Sequence, residues 1–532
     1  MRNLKTFALA CLCALVPAST VKSEEPDVRE WDSEFVKIEV PRTVRTNQVF
    51  PVAITMKNTG STTWGFVSGV RSAPTMRSIA PYGNLTWGTN YIIQGQGTSV
   101  APGEEFTYVS NLRAPNVPGK HVFRWQLHNE TELYGQPTPR IQIQVTPAPA
   151  GNDGLPPVPK ADRAGKKPLR FDDFKYLGSF KLPHQVGNGG GGYSESGMTL
   201  RKYPDGTERL LINFTHPQGT LFEVDIPDVK SLVKYQAGDA SQLLTAEPKK
   251  IWGAVAQNEV GANGGMYWDH ASDTLYWTYY HSYWTGGDLP ILQATRLNDD
   301  GTMTPVGSWT VPNQKWHWGG VTRLPKSFAD RYTDGKTLAL GFGGYFSVSA
   351  PCSRGPALSV IAEPDPAANR VDGLVNLLSY DQSKPAPRPG NYFNSNCGYW
   401  NEQPRSRAKG TWTYDDHCRS GVMIDLEDKQ GYITFPRLGT GRLGYDYGSI
   451  NRAGTVQYWY FYDTRHLGQA ARGEREAGEM LPYEVRIDRG MGDMVSGACF
   501  DAENRKLYLI RMYAYRAGTE FHPLIHVYHI KK

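Results

Sequence analysis

Apolar and polar residues alternate in short runs along most of the chain. Between residues 31 and 146, the runs "FVKIEV", "VFPVAITMKN", "FTYVSNL", "HVFRWQL" and "RIQIQV" carry the period of two of half-buried strands. "NTG", "APG" and "VPG" lie between them as turn signals. The pattern predicts a β-sandwich over 31–146. Long stretches rich in Ala, Glu, Lys, Leu and Arg are nearly absent, so the chain is expected to be all-β.

Beyond residue 170 the pattern changes to a recurring hairpin. A small-residue start, an apolar strand, a turn and a second strand occur five times. The units are "SGMTLRKYPDGTERLLINF", "GGMYWDHASDTLYWTYY", "GGVTRLPKSFADRYTDGKTLALGFG", "SGVMIDLEDKQGYITF" and "SGACFDAENRKLYLIRMY". The second glycine or its equivalent falls at Gly197, Gly265, Gly320, Gly421 and Gly497, giving spacings of 68, 55, 101 and 76 residues. Stacked solenoid units need a near-constant length, whereas radial units joined by variable loops do not. Further strands follow the hairpins, as in "PILQATRL" and "TPVGSWTV". Four strands per unit and five units predict a five-bladed β-propeller over 170–532. The hairpin would supply the two innermost strands of each blade, with small residues where those strands crowd. The closing "PLIHVYHIKK" is expected to share a blade with "FKYLGSFKL", which closes the ring without free edges.

The segment between the two patterns, 147–169, is rich in Pro, Ala, Gly and Lys and reads as a semi-rigid linker. The first residues place Arg2 and Lys5 before an apolar run that ends near Pro17. This predicts a signal peptide over 1–23 and a secreted or periplasmic mature protein that does not span a membrane. Removing it leaves Cys352, Cys397, Cys418 and Cys499. An even count in an exported protein favours disulfides. Cys352 with Cys397 is the expected pair, and Cys418 and Cys499 form a second pair or stay as buried thiols. The net charge of +5 is scattered over 532 residues, which argues against a nucleic-acid partner. Aromatics make up 12% of the chain, with 30 Tyr and 14 Trp, a composition suited to sugar stacking as well as to β-cores.

The N-terminal wording is specific. "MKNTGSTTWG", "VAPGEEF" and "APNVPGKHVFRWQLHNETELYG" resemble the four-tryptophan Ig-like domain of selective-autophagy cargo receptors and of exported bacterial proteins. The tryptophans in question are Trp31, Trp64, Trp87 and Trp125. The resemblance covers about 115 residues and implies a binding or spacer module, with a protein partner as one use. Trp64 and Trp125 sit in strand contexts and are expected in the core. Trp87, in "YGNLTWGTN", is expected to be an exposed contact. Residues 170–532 resemble exported bacterial propeller proteins, which implies fold and location only.

In a propeller, the loops before each innermost strand and after each second strand open on one face. Polar residues at these positions therefore make up the candidate site. Glu195, Asp416 and Asp493 precede inner strands and are candidate catalytic carboxylates. Glycoside hydrolysis needs two such groups across a sugar, one protonated and one ionised. His216 and His281 follow second strands and are candidate bases for polysaccharide elimination. His317, His417, Arg419, Tyr345, Arg511, Trp284 and Trp318 are the candidate substrate-binding residues, with the arginines placed to neutralise a uronate. No metal-binding spacing or phosphate loop is present, so no cofactor is expected. The sequence thus predicts an exported carbohydrate-active enzyme, a hydrolase or lyase. A non-catalytic propeller that binds a glycan or a protein is the alternative.

Overall fold

The computed structural model describes residues 29–532 apart from several internal stretches. The longest of these are 148–154, 191–196, 215–219, 254–260, 282–287, 313–316, 343–354, 381–416, 440–454 and 489–493. The described chain is almost entirely β, with helices only at Lys326–Tyr332 and Thr464–Ala471 and a few short turns of 3₁₀ helix. None of its helices is long and apolar enough to cross a membrane.

The N-terminal strands pair as the alternation requires. Ser33–Glu39, Val49–Asn58 and Glu105–Arg113 form one antiparallel sheet. Gly119–Phe123 and Ile141–Thr146 pair in another. In the last strand Ile141, Ile143 and Val145 are buried while Gln142 is exposed, as the period of two dictates. These strands enclose a core of their own, in which Ile54, Met56, Trp64 and Trp125 are fully buried. Trp87 belongs to the same core, with 1% exposure, which corrects its expected place at the surface. Its ring meets Phe50 edge-on at 5.7 Å, and its indole N–H donates to the Val122 carbonyl at 2.9 Å. The polar loop around it conceals an inward-facing side chain.

Residues 167–532 hold five main sheets, each built on four consecutively paired antiparallel strands, and a small two-stranded sheet of Gln185–Val186 and Gly189–Gly190. Sheet I holds Met198–Lys202, Glu208–Phe214, Thr220–Asp225 and Pro248–Trp252. Sheet II holds Gly261–Asp269, Thr274–His281, Leu292–Leu297 and Met303–Trp309. Sheet III holds Gly320–Arg323, Leu338–Gly341, Leu358–Ile361 and Val375–Leu378. Sheet IV holds His417–Asp425, Lys429–Gly439, Thr455–Tyr462 and Glu484–Ile487, with Lys167–Pro168 added along its second strand. Sheet V holds Met494–Asp501, Lys506–Ala517 and Glu520–Ile530, and takes its fourth strand, Phe174–Lys181, from the start of the region. The five hairpins of the sequence are thus the first two strands of the five sheets. In sheet III the turn of the hairpin contains the helix Lys326–Tyr332, which buries Phe328 and Ala329.

The expected linker is not free over its full length. Lys166 bonds Asp425 at 2.5 Å, and Gln430 donates to Asp162 at 2.9 Å, so its second half is held against sheet IV.

The first strands of neighbouring sheets run side by side, in step. A Cβ on Gly197 would lie 2.3 Å from the Gly265 Cα, and farther along the Lys202 N–H donates to His270 Nε2 at 3.0 Å. The two contacts have the same offset in sequence, so sheets I and II present these strands in the same direction. A Cβ on Gly265 would lie 2.6 Å from the Gly320 Cα, and Arg323 reaches Asp269 at 3.1 Å. The Phe342 ring is wedged between Gly320 and Gly421, linking sheets III and IV. Ser420 donates to the Val495 carbonyl at 3.5 Å, and a Cβ on Gly497 would lie 3.1 Å from the Met198 N. Glycine is required at Gly197 and Gly265 because the facing atoms are backbone, which cannot move aside.

Candidate functional site

The first strands surround a cavity of about 400 Å³. At one end it is lined by Gly197, just before its strand, and by Gly265, Gly421 and Gly497, midway along theirs, with Phe342 and Arg419 beside them. Phe342 follows the second strand of sheet III with φ of +74°, a left-handed conformation that disfavours a side chain. This strain is held where the ring fills the gap between two glycines. The middle of the cavity is apolar, with Met198, Met266, Met423 and Phe500 in its wall.

The other end of the cavity is charged. Lys202, His270, Arg323, Asp501 and Glu503 line it, from the ends of the first strands and the turns after them. The Lys202 ammonium bonds Glu208 at 2.7 Å, Glu503 at 2.9 Å and Asp501 at 3.0 Å. Burial opposes its charge, but the hydrogen bonds it donates to Glu208, Glu503 and Asp501 outweigh burial and raise its pKa. The three carboxylates lie close enough to share one cation, and the Lys202 Nζ fills that role. His270 is driven below its ordinary value by burial and by the Lys202 charge. It is therefore neutral at pH 7, as its role as acceptor from the Lys202 N–H requires. Arg323 joins Asp269 to Glu363, at 3.1 and 3.0 Å. Behind this end, Arg201 is buried against the Trp268 ring at 4.1 Å and pairs with the fully buried Glu223 at 3.0 Å. Tyr203 donates to Glu223 as well, and burial and that bond push its hydroxyl up to about 12.

Of the sequence candidates, Glu195, His216, Trp284, Tyr345, Asp416 and Asp493 lie outside the described residues. His281 and His417 are placed by their backbones, paired with Gly261 and Arg437 at the ends of their strands. Arg419 lines the cavity with 2% exposure. His317 is buried, with Nε2 2.9 Å from the Ser359 hydroxyl. That hydroxyl donates to Asn376, so it accepts from His317, which carries its proton on Nε2. Trp318 is buried in the core between sheets II and III. Arg511 is buried and paired with Asp488, which also accepts from the Trp459 indole at 3.0 Å. Cys418 and Cys499 are free thiols, and burial pushes Cys418 up to about 12. Cys352 and Cys397 lie outside the described residues.

The charged end was not among the sequence candidates. Its signal is the polar step closing each apolar strand, in "LRKYPDG", "YWDHASD", "VTRLP" and "CFDAEN". Aligning the hairpins at their turns, rather than at their glycines, exposes it.

No protein-family model matches the chain, and no curated protein matches it. Among solved structures, the chain is similar to the CARDB domain of the PF1109 protein of Pyrococcus furiosus. The crystal structure of that domain, in complex with di-metal ions, is 14% identical, with a TM-score of 0.16. It covers 22% of this chain and 92% of that one. The solution structure of the same domain is 17% identical at a TM-score of 0.16, covering 22% and 96%.

Proposed function

We propose that the chain is an exported carbohydrate-active protein in which 170–532 form a closed five-bladed β-propeller behind an Ig-like module. Closure is supported by the contacts that lead from sheet I through sheet V and back to sheet I, and by the fourth strand that sheet V takes from residues 174–181. The working face is the end at which the first strands begin. One observation carries the convergence of the blades on an axis: the first strands run in step, and Gly197, Gly265, Gly421 and Gly497 line one cavity. Glu195 stands three positions before such a strand, and Asp416 and Asp493 one position before theirs, so the proposal brings them together around the axis. Two carboxyl groups so placed are the requirement for hydrolysis, and Arg419 beside them would neutralise a uronate in elimination.

The test is turnover of a panel of neutral and uronate polysaccharides by the purified protein and by Glu195→Gln and Asp493→Asn. Loss of turnover in both, with an unchanged melting temperature, is the expected result. Full activity in both variants would overturn the carboxylate roles and leave the histidines and arginines.

A second reading is a glycan-binding propeller without catalysis. It is favoured by the charged end of the cavity, where the carboxylates Glu208, Asp501, Glu503, Asp269 and Glu363 are all engaged in ion pairs with Lys202 or Arg323. Retention of the protein on a polysaccharide that it does not cleave would decide for it.

A further inference from the structure

On the strand Glu105–Arg113, Glu105, Thr107, Val109 and Asn111 are exposed and face outward. The next residue on that face is Arg113, which alternation would also leave in solvent. It is 2% exposed instead. Its guanidinium lies 5.1 Å from the centre of the Tyr458 ring, in the third strand of sheet IV, and Tyr458 is itself fully buried. Tyr458 sits near the start of Thr455–Tyr462, beside the end of the second strand, where Arg437 pairs with Gln457. His128, 9% exposed, feels the charge of Arg516, near the end of the second strand Lys506–Ala517. Ends of second strands and starts of first strands share one side of a sheet.

We infer that the N-terminal module is docked on the strand-start side of sheet IV, and borders the working face instead of hanging from a flexible tether. The bordering role rests on the function proposed above; the docking does not. The cation over an aromatic face is the main fixing contact, and it is strong because both partners are removed from water. The held second half of the linker, with Lys166 on Asp425, shortens the tether and favours the same arrangement. His128 adds a condition. Burial, Arg77 and Arg516 hold its imidazole below the ordinary value, and Glu132 opposes them. Charging it in acid sets it against two guanidiniums and weakens the joint.

Small-angle X-ray scattering of the full mature chain tests the docking. The wild type is expected to give the scattering curve of the docked arrangement, and Arg113→Glu a larger radius of gyration. Arg113→Lys, which keeps the cation, should stay compact. A wild-type curve that fits only freely tethered modules would overturn the inference, and this holds even if Arg113→Glu fails to fold. The bordering role is read on any polysaccharide that the wild type retains or cleaves. Arg113→Glu, by undocking the module, should measurably weaken that interaction. Unchanged interaction in an undocked variant would overturn the bordering role. If the wild type handles no polysaccharide, the carbohydrate reading fails, and scattering alone decides the docking.

Discussion

The backbone N–H of Lys202 donates to Nε2 of His270 at 3.0 Å, joining the ends of the first strands of sheets I and II. The bond needs a neutral imidazole, and a protonated one would place a second cation beside the Lys202 ammonium. Other histidines are held neutral in the same way. His526 is fully buried and held well below its ordinary value by burial and by Arg511, and burial lowers His522 and His128 too.

These histidines set a pH dependence. Each binds a proton more readily when unfolded, where its value is about 6.5, than when folded. Their contribution is therefore complete above about pH 6.5 and is lost as the pH falls from there towards their folded values. The melting temperature should hold between pH 8 and 7 and fall from pH 6.5 to 5. His526→Phe should flatten that fall. A melting temperature that is constant from pH 8 to 5 would contradict the argument.

Gly265→Ala should be strongly destabilising. Its Cβ would lie 2.6 Å from the Gly320 Cα and 2.8 Å from the Gly319 carbonyl, both backbone atoms. A loss of roughly 3 kcal/mol is expected from overpacking of this kind. Gly253→Ala is the control, because its Cβ would meet only the end of Met303 at 3.7 Å. Urea melts of the two variants should differ clearly, and equal midpoints would refute the close approach of the first strands.

Arg511 separates a structural from a ligand-binding role. Its pairing with the buried Asp488 means that Arg511→Met strands a buried carboxylate, at a cost of roughly 3–5 kcal/mol. The predicted outcome is a large fall in urea midpoint. A variant of wild-type stability that has lost glycan binding would return Arg511 to the ligand contacts.

The thiols should differ in reactivity. Cys418 is fully buried and pushed up to about 12, so it should resist iodoacetamide at pH 8 until the protein unfolds. Mass spectrometry of the native protein, alkylated with and without prior reduction, reads Cys418 and reports at the same time on the proposed Cys352–Cys397 bond. Rapid native labelling of Cys418 would show that the core between sheets III and IV opens.

The sequence alone determined the local architecture. Period-two alternation marked the N-terminal strands, and the glycine-led hairpins marked the first two strands of all five sheets. "PLIHVYHI" and "FKYLGSF" were also matched correctly as partners in one sheet, from opposite ends of the region. These features are legible because a strand writes its own inside and outside into consecutive residues. The tertiary structure decided which polar groups meet. Trp87 lies in a polar loop by sequence, yet its ring is in the core, because packing and not the neighbouring residues sets burial. Lys202 takes Asp501 as a partner across 299 residues, and Arg113 is covered by Tyr458 from another part of the chain. Such pairings depend on which sheets stand side by side; the polar step that closes a first strand marks the residues but not their partners.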